Sequence, residues 1–142
     1  SSYHLVPPTI PKANIHVTND YVKIDSLFGG AKNAILNNTT NDVNITLDGG
    51  TVYTVFGGNN FGGSLGYQSQ ENIIVNNTTV KTTVSDYQAN RMGRDFGIGY
   101  LFGGGNKVQG QNVEITVNGG QMDTIFGGGN SADVRSTQLT VN

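Results

Sequence analysis

The chain has 142 residues, a formal net charge of -2 and only 13% charged residues, so it lacks the basic surface that binding to a phosphate backbone requires. It contains no cysteine, which excludes disulfide bonds and thiolate metal sites. No apolar run approaches the roughly 20 residues of a membrane-spanning helix. We therefore expect no membrane insertion and, because a basic surface is lacking, no nucleic-acid partner.

The N-terminal residues 1–14 are predicted to form an extended linker, because Pro7, Pro8 and Pro11 disfavour regular structure there. Residues 15–142 are predicted to form one repeat domain, a fragment of a longer solenoid. The first repeat runs from Ile15 to Gly30 and ends in Phe-Gly-Gly.

The tripeptide Phe-Gly-Gly recurs along the chain at separations of 28, 46 and 24 residues, which is the spacing of solenoid repeats. The middle separation is expected to hold two coils, the first of them a degenerate copy from Ile73 to Ser85 with Val84 in the Phe position. The four aligned phenylalanines are Phe28, Phe56, Phe102 and Phe126.

Each unit contains two short strands that are separated by a pair of glycines. In the unit at 43–58, apolar and polar residues alternate from Val43 to Leu47, Gly49 and Gly50 supply a tight corner, and a second strand ends at Phe56. Such a unit cannot bury its apolar face alone, so neighbouring units must stack with parallel strands. The sequence therefore predicts an all-β fold, a single-stranded parallel β-helix (β-solenoid) of about five coils of roughly 24 residues.

Stacking places equivalent residues of successive coils over one another. The Phe column is expected to stack inside the core, with rings about 4.8 Å apart. A column of Asp and Asn precedes the first glycine pair, where it resembles the asparagine ladder of β-helices; its members are Asp20, Asp48, Asn76 and Asn118. A similar column follows the second pair, at Asn60, Asn106 and Asn130.

An outward column of threonines is also expected. Its members are Thr18, Thr46, Thr116 and Thr140. Threonine is a good strand former, which is a sufficient reason for the column. Outward Thr columns also resemble the ice-binding face of some solenoids, so ice binding is retained as a second alternative function.

Two insertions, at 59–72 and 85–97, interrupt the repeat, and loops of this kind often carry binding sites. Their aromatic, amide and charged side chains are suited to stacking on a sugar and hydrogen bonding to it. The candidate ligand-binding residues are Asn59, Asn60, Tyr67, Tyr87, Arg91 and Asp95.

The sequence offers little for catalysis, because its two histidines and ten acidic residues form no nucleophile–base pattern. Asp25 and Asp123 fall in one outward column but lie three coils apart, about 14 Å, whereas paired glycosidase carboxylates lie about 5–9.5 Å apart. We therefore expect no catalytic residue, metal or cofactor. A pectin-lyase-like, polysaccharide-active enzyme fragment remains the first alternative.

The repeats from about Ile15 to Asn142 resemble the Gly-Gly-rich β-helical segments of bacterial surface adhesins, autotransporter-like passengers and phage appendages. The resemblance implies a non-catalytic structural or adhesive segment that acts as a rigid shaft or display platform. It also implies a location outside the cell, on a cell surface or on a virion. The expected partners are glycans or a host surface, and further coils or domains of the same parent chain.

Overall fold

The computed structural model describes residues 12–30, 42–62, 65–80 and 92–142. Within these ranges the chain is all-β, with almost no helix and with no helix long and apolar enough to span a bilayer. Its strands are β1 (Lys12–Val17), β2 (Lys23–Phe28), β3 (Asp42–Leu47), β4 (Thr51–Phe56), β5 (Gln70–Val75), β6 (Ile98–Phe102), β7 (Asn112–Val117), β8 (Met122–Phe126) and β9 (Ser136–Val141).

The strands alternate between two sheets. The odd-numbered strands form sheet A in the order β1-β3-β5-β7-β9, and the even-numbered strands form sheet B in the order β2-β4-β6-β8. Every strand pairing is parallel. Each coil thus contributes one strand to each sheet, and the predicted parallel β-solenoid is confirmed.

The hydrophobic core lies between the two sheets. In β3, the alternation of apolar and polar residues buries Val43, Ile45 and Leu47, each at most 1% exposed. They belong to one cluster with residues of sheet B such as Val52 and Val55. This arrangement follows from the period of two in a strand, which sends alternate side chains to opposite faces.

The number of coils differs from the prediction, because the structure has about four turns rather than five. Phe56 pairs directly with Phe102, so the 46-residue separation holds one coil, and Val84 lies outside the described residues. Val80, expected in a strand, lies in no strand and is 42% exposed, while residues 81–91 fall outside the described ranges. The apolar residues from Ile73 to Ser85 have the spacing of a repeat, but the corner of this segment has Asn-Asn-Thr-Thr where the regular unit has glycines.

The register of the first coil also differs from the repeat alignment. Val17 lies opposite Leu47, so Asp20 falls two residues beyond the position opposite Asp48 and is not part of that column. The connection from β1 to β2 lacks the glycine that takes φ +87° at Gly50, and it needs two more residues to turn. The predicted linker boundary at residue 14 stays a prediction, although β1 already begins at Lys12.

Candidate functional site

The four phenylalanines form a continuous stack along sheet B. Their ring centroids are 4.7, 5.0 and 4.8 Å apart in chain order, and the planes differ by 3°, 8° and 11°. We expected this stack in the core, but the rings lie outside the core cluster and line a groove on the outer face of the sheet. Phe56 is covered by its neighbours at 5% exposure, whereas Phe126, at the end of the stack, is 44% exposed.

This sheet B groove runs along the coil axis from Phe28 to Phe126 and encloses about 880 Å³. Aromatic rings and small polar side chains alternate around it. Besides the Phe stack, the lining includes Ser26, Tyr53, Thr54, Phe61, Tyr100 and Ser131. The groove therefore offers both ring surfaces and hydrogen-bonding groups to a ligand.

One wall of the groove is an amide ladder. Asn106 donates from Nδ2 to Oδ1 of Asn60 at 2.9 Å, and Asn130 donates from Nδ2 to Oδ1 of Asn106 at 2.8 Å. The backbone supports the ladder, since Asn130 N–H donates to the carbonyl of Gly105 at 2.9 Å. These side chains are thus held at fixed positions, one coil apart.

The predicted loop residues do not form one site in the described part of the chain. Asn60 lines the groove, but Asn59 is only 2% exposed and donates to the carbonyl of Gly62 at 3.0 Å, which makes it a corner residue. Tyr67 is 53% exposed and lies elsewhere, against Arg135. Asp95 is half-buried and does not line the groove. Tyr87 and Arg91 lie outside the described residues.

The Asp/Asn column at the first corner forms a second ladder. Asn76 donates to Asp48 at 2.7 Å, Asn118 donates to Asn76 at 2.8 Å, and Asn142 continues the series at 2.6 Å. At its other end Asp48 pairs with His16 rather than with Asp20. The hydrogen bonds from His16 and then Asn76 lower the pKa of Asp48 from its usual value.

The outer column of sheet A is not a row of threonines. Because of the shifted first coil, its first member is His16, and Ile74 stands between Thr46 and Thr116. Only its last two members, Thr116 and Thr140, are threonines in adjacent strands. The regular Thr surface expected of an ice-binding face is therefore interrupted.

A buried acid that the sequence analysis did not single out lies within β5, beside the connection that leads into β7. Glu71 is fully buried in sheet A between Val43 and Val113, where its Oε1 accepts a bond from the Gln111 N–H at 2.7 Å. Among the described residues its Oε2 has no hydrogen-bond partner, and burial raises the pKa of Glu71 to about 7. The repeat contained a signal, since an acid occupies a position that holds Val in both adjacent strands.

Acidic side chains in the described ranges do not assemble into a reactive cluster. Asp25 lines the groove, while Asp123 is paired with Arg94 through two nitrogens, each at 3.0 Å. No three His, Cys, Asp or Glu residues of these ranges lie close enough together to hold a metal ion.

The described residues thus define the β-solenoid and its groove. No protein-family model, curated protein or solved structure matches the chain.

Proposed function

We propose that this chain is a rigid, non-catalytic segment of an extracellular protein, a bacterial surface adhesin or a phage appendage, that holds a binding face away from its point of attachment. The observation that supports this role is the continuity of side-chain ladders from coil to coil. The Phe stack, for example, continues from Phe28 to Phe126 without interruption.

Three sets of contacts join each coil to the next. Parallel backbone pairing runs through both sheets, the Phe stack follows sheet B, and amide ladders follow the corners. In a solenoid each unit contacts only its neighbours, so resistance to bending depends on these repeated interfaces. A column in which contacts of the same kind recur between neighbouring coils is suited to a shaft.

The composition favours an exported protein of this kind. The chain has no cysteine, few charges and 21 glycines, and it gains stability from repetition rather than from disulfide bonds. The partners we propose are glycans or a host surface, together with further coils or domains of the same parent chain.

Antibodies raised against this chain test the proposed location. They are expected to label intact source cells or virions without permeabilisation, and labelling only after permeabilisation would contradict the proposal.

The absence of catalysis is tested separately by incubating the protein with linear polysaccharides and measuring new reducing ends and unsaturated products. We expect no increase over a heat-denatured sample. Products formed at a rate that Asp25→Asn abolishes would instead support the polysaccharide-active alternative.

A further inference from the structure

We propose that the sheet B groove binds a neutral, extended glycan that lies parallel to the coil axis. This inference rests on the proposed role of the chain as a surface display segment and adds the site and the ligand class. The site is the outer face of sheet B with its amide wall, instead of the two loops that the sequence suggested.

The backbone of the strands on this face is already paired, so a ligand meets mainly side chains. Each strand of sheet B pairs in parallel with its neighbours, and the connecting glycines continue the pattern, as when Gly57 N–H donates to the Phe102 carbonyl at 2.9 Å. The strand edges lie at the two ends of the solenoid, so an extended peptide cannot add to the sheet within the groove. A ligand that carries its own hydrogen-bonding groups along its length fits better.

The amide wall supplies regularly spaced donors and acceptors. Each Asn side chain has two N–H donors, and the ladder bonds from Asn106 and Asn130 use one donor apiece. The second donors repeat at one strand spacing, about 4.8 Å. Hydroxyl groups that recur along an extended sugar polymer can both donate to and accept from such amides.

Aromatic surfaces complement the amides. Phe61 is 52% exposed on the wall, and Tyr53 and Tyr100 meet edge to face in the lining with centroids 5.7 Å apart. Rings of this kind provide rigid apolar surface with little loss of side-chain entropy, and tyrosine adds a hydroxyl group. The apolar C–H face of a sugar ring packs against such surfaces.

The charge of the groove selects a neutral ligand. Asp25 is the charged residue among those that the structure describes in the lining, and Lys107 lies at the margin, 5.7 Å from the Phe61 ring centroid. With no excess of positive charge, the groove offers nothing to retain a polyanion such as nucleic acid or a uronic-acid polymer. Its length, about three strand spacings or 14 Å, accommodates a short run of sugar units.

The test uses the full chain on an array of linear neutral glucans, mannans and galactans, with a polygalacturonate as the acidic comparison. Titration calorimetry with oligosaccharides of the best ligand then measures affinity. We expect binding to a neutral polymer that changes less than about twofold between low and physiological salt, because few charges are involved.

One phenylalanine variant and one tyrosine variant locate the site. Phe61→Ala, at an exposed groove position, is expected to weaken binding by about tenfold or more, while Tyr67→Ala, equally exposed but outside the groove, changes it less than about twofold. Asn130→Ala serves as a second groove variant, and circular dichroism checks that each variant keeps its strands.

Several results would overturn the inference. These are the absence of binding to every neutral glycan, a preference for the acidic polymer, or a loss of affinity in Tyr67→Ala that equals the loss in Phe61→Ala. If glycans fail to bind while antibodies still label intact cells or virions, the groove inference fails and the proposed surface role stands. Absence of labelling contradicts the surface role whatever the arrays give.

Discussion

Phe56 and Phe102 are 46 residues apart in the chain, yet their rings stack with centroids 5.0 Å apart and planes 8° from parallel. The contact joins consecutive strands of sheet B, with no strand between them. A stretch longer than a regular coil is thus accommodated without interrupting the column. The stack is on the outer face of sheet B, where it forms part of the groove.

Phe102→Ala is expected to lower the free energy of unfolding by about 2–4 kcal/mol, because it removes a half-buried ring that stacks on both sides. Phe126→Ala removes a ring with one stacked neighbour and 44% exposure, so a loss of about 1 kcal/mol is expected. Urea denaturation measures both. Equal losses of unfolding free energy in the two variants would contradict the structure, in which Phe102 has two stacked neighbours and Phe126 has one.

The corner ladder leads to a second prediction. Asn76→Ala removes the hydrogen bonds to Asp48 and from Asn118 and is expected to cost about 1–2 kcal/mol. Asn142→Ala removes a single bond at the exposed end of the ladder and should stay within about 0.5 kcal/mol of the parent.

The Asn76→Ala variant is also expected to change the pKa of the neighbouring Asp48. Asn76→Ala also removes one of the two bonds that lower the pKa of Asp48, so this pKa should rise while remaining below its usual value because of His16. NMR titration of the Asp48 carboxyl measures the change. An unchanged pKa would mean that the amide does not bond to the carboxylate in solution.

The stacking of coils was predictable from sequence because equivalent residues recur at solenoid spacing, and both strand pairing and the Phe column follow from that recurrence. The face of the Phe column was not predictable by counting alternate residues. Counting by two from Val52 sends Thr54 and Phe56 inward, but the pairing of β4 skips Tyr53, and Val52 and Val55 are the residues in the core. The residue types along the strand do not reveal such a local break in its geometry.

The candidate site was only partly predictable for the same reason. The Asn column at Asn60, Asn106 and Asn130 could be aligned in the sequence, but its place beside the rings depends on the Phe column facing outward. The length of the loop suggested Tyr67 as a ligand-binding residue, but Tyr67 lies outside the groove, against Arg135. The register of the first coil was not predictable from the alignment, because its corner lacks a Gly pair and is two residues longer than the corner after β3, which explains the error at Asp20.

Gly57 tests how closely the coils approach each other. A Cβ atom at Gly57 would lie 2.1 Å from the Gly103 carbonyl oxygen, a backbone atom that cannot move away without separating the strands. We expect Gly57→Ala to destabilise the fold by more than about 3 kcal/mol or to prevent folding.

Gly128→Ala is the matched control within the same repeat motif. Its Cβ would meet only the Ala132 carbonyl oxygen, at an ordinary contact distance of 3.7 Å. Its melting temperature should stay within about 2 °C of the parent. A folded Gly57→Ala protein with the same melting temperature would contradict the close packing of these corners.

The buried carboxyl of Glu71 makes stability depend on pH. Folding raises its pKa from 4.5 to about 7, since burial disfavours the charged form more than the bond from the Gln111 N–H favours it. Below pH 4.5 the group is protonated in both states and carries no penalty. Between pH 4.5 and 7 the unfolded state ionises first, so stability falls by about 1.4 kcal/mol per pH unit and levels off about 3 kcal/mol lower above pH 7.

Glu71→Gln isolates this effect, because glutamine keeps an oxygen to accept the Gln111 N–H bond but has no charge to bury. Relative to the parent, the variant is expected to gain about 3 kcal/mol between pH 4 and pH 8. Glu114→Gln, the same substitution at an exposed acid on the next strand of sheet A, serves as the control for the loss of a carboxylate. Urea denaturation at a series of pH values measures all three proteins. Parallel profiles for the parent and Glu71→Gln would mean that the Glu71 carboxyl reaches solvent.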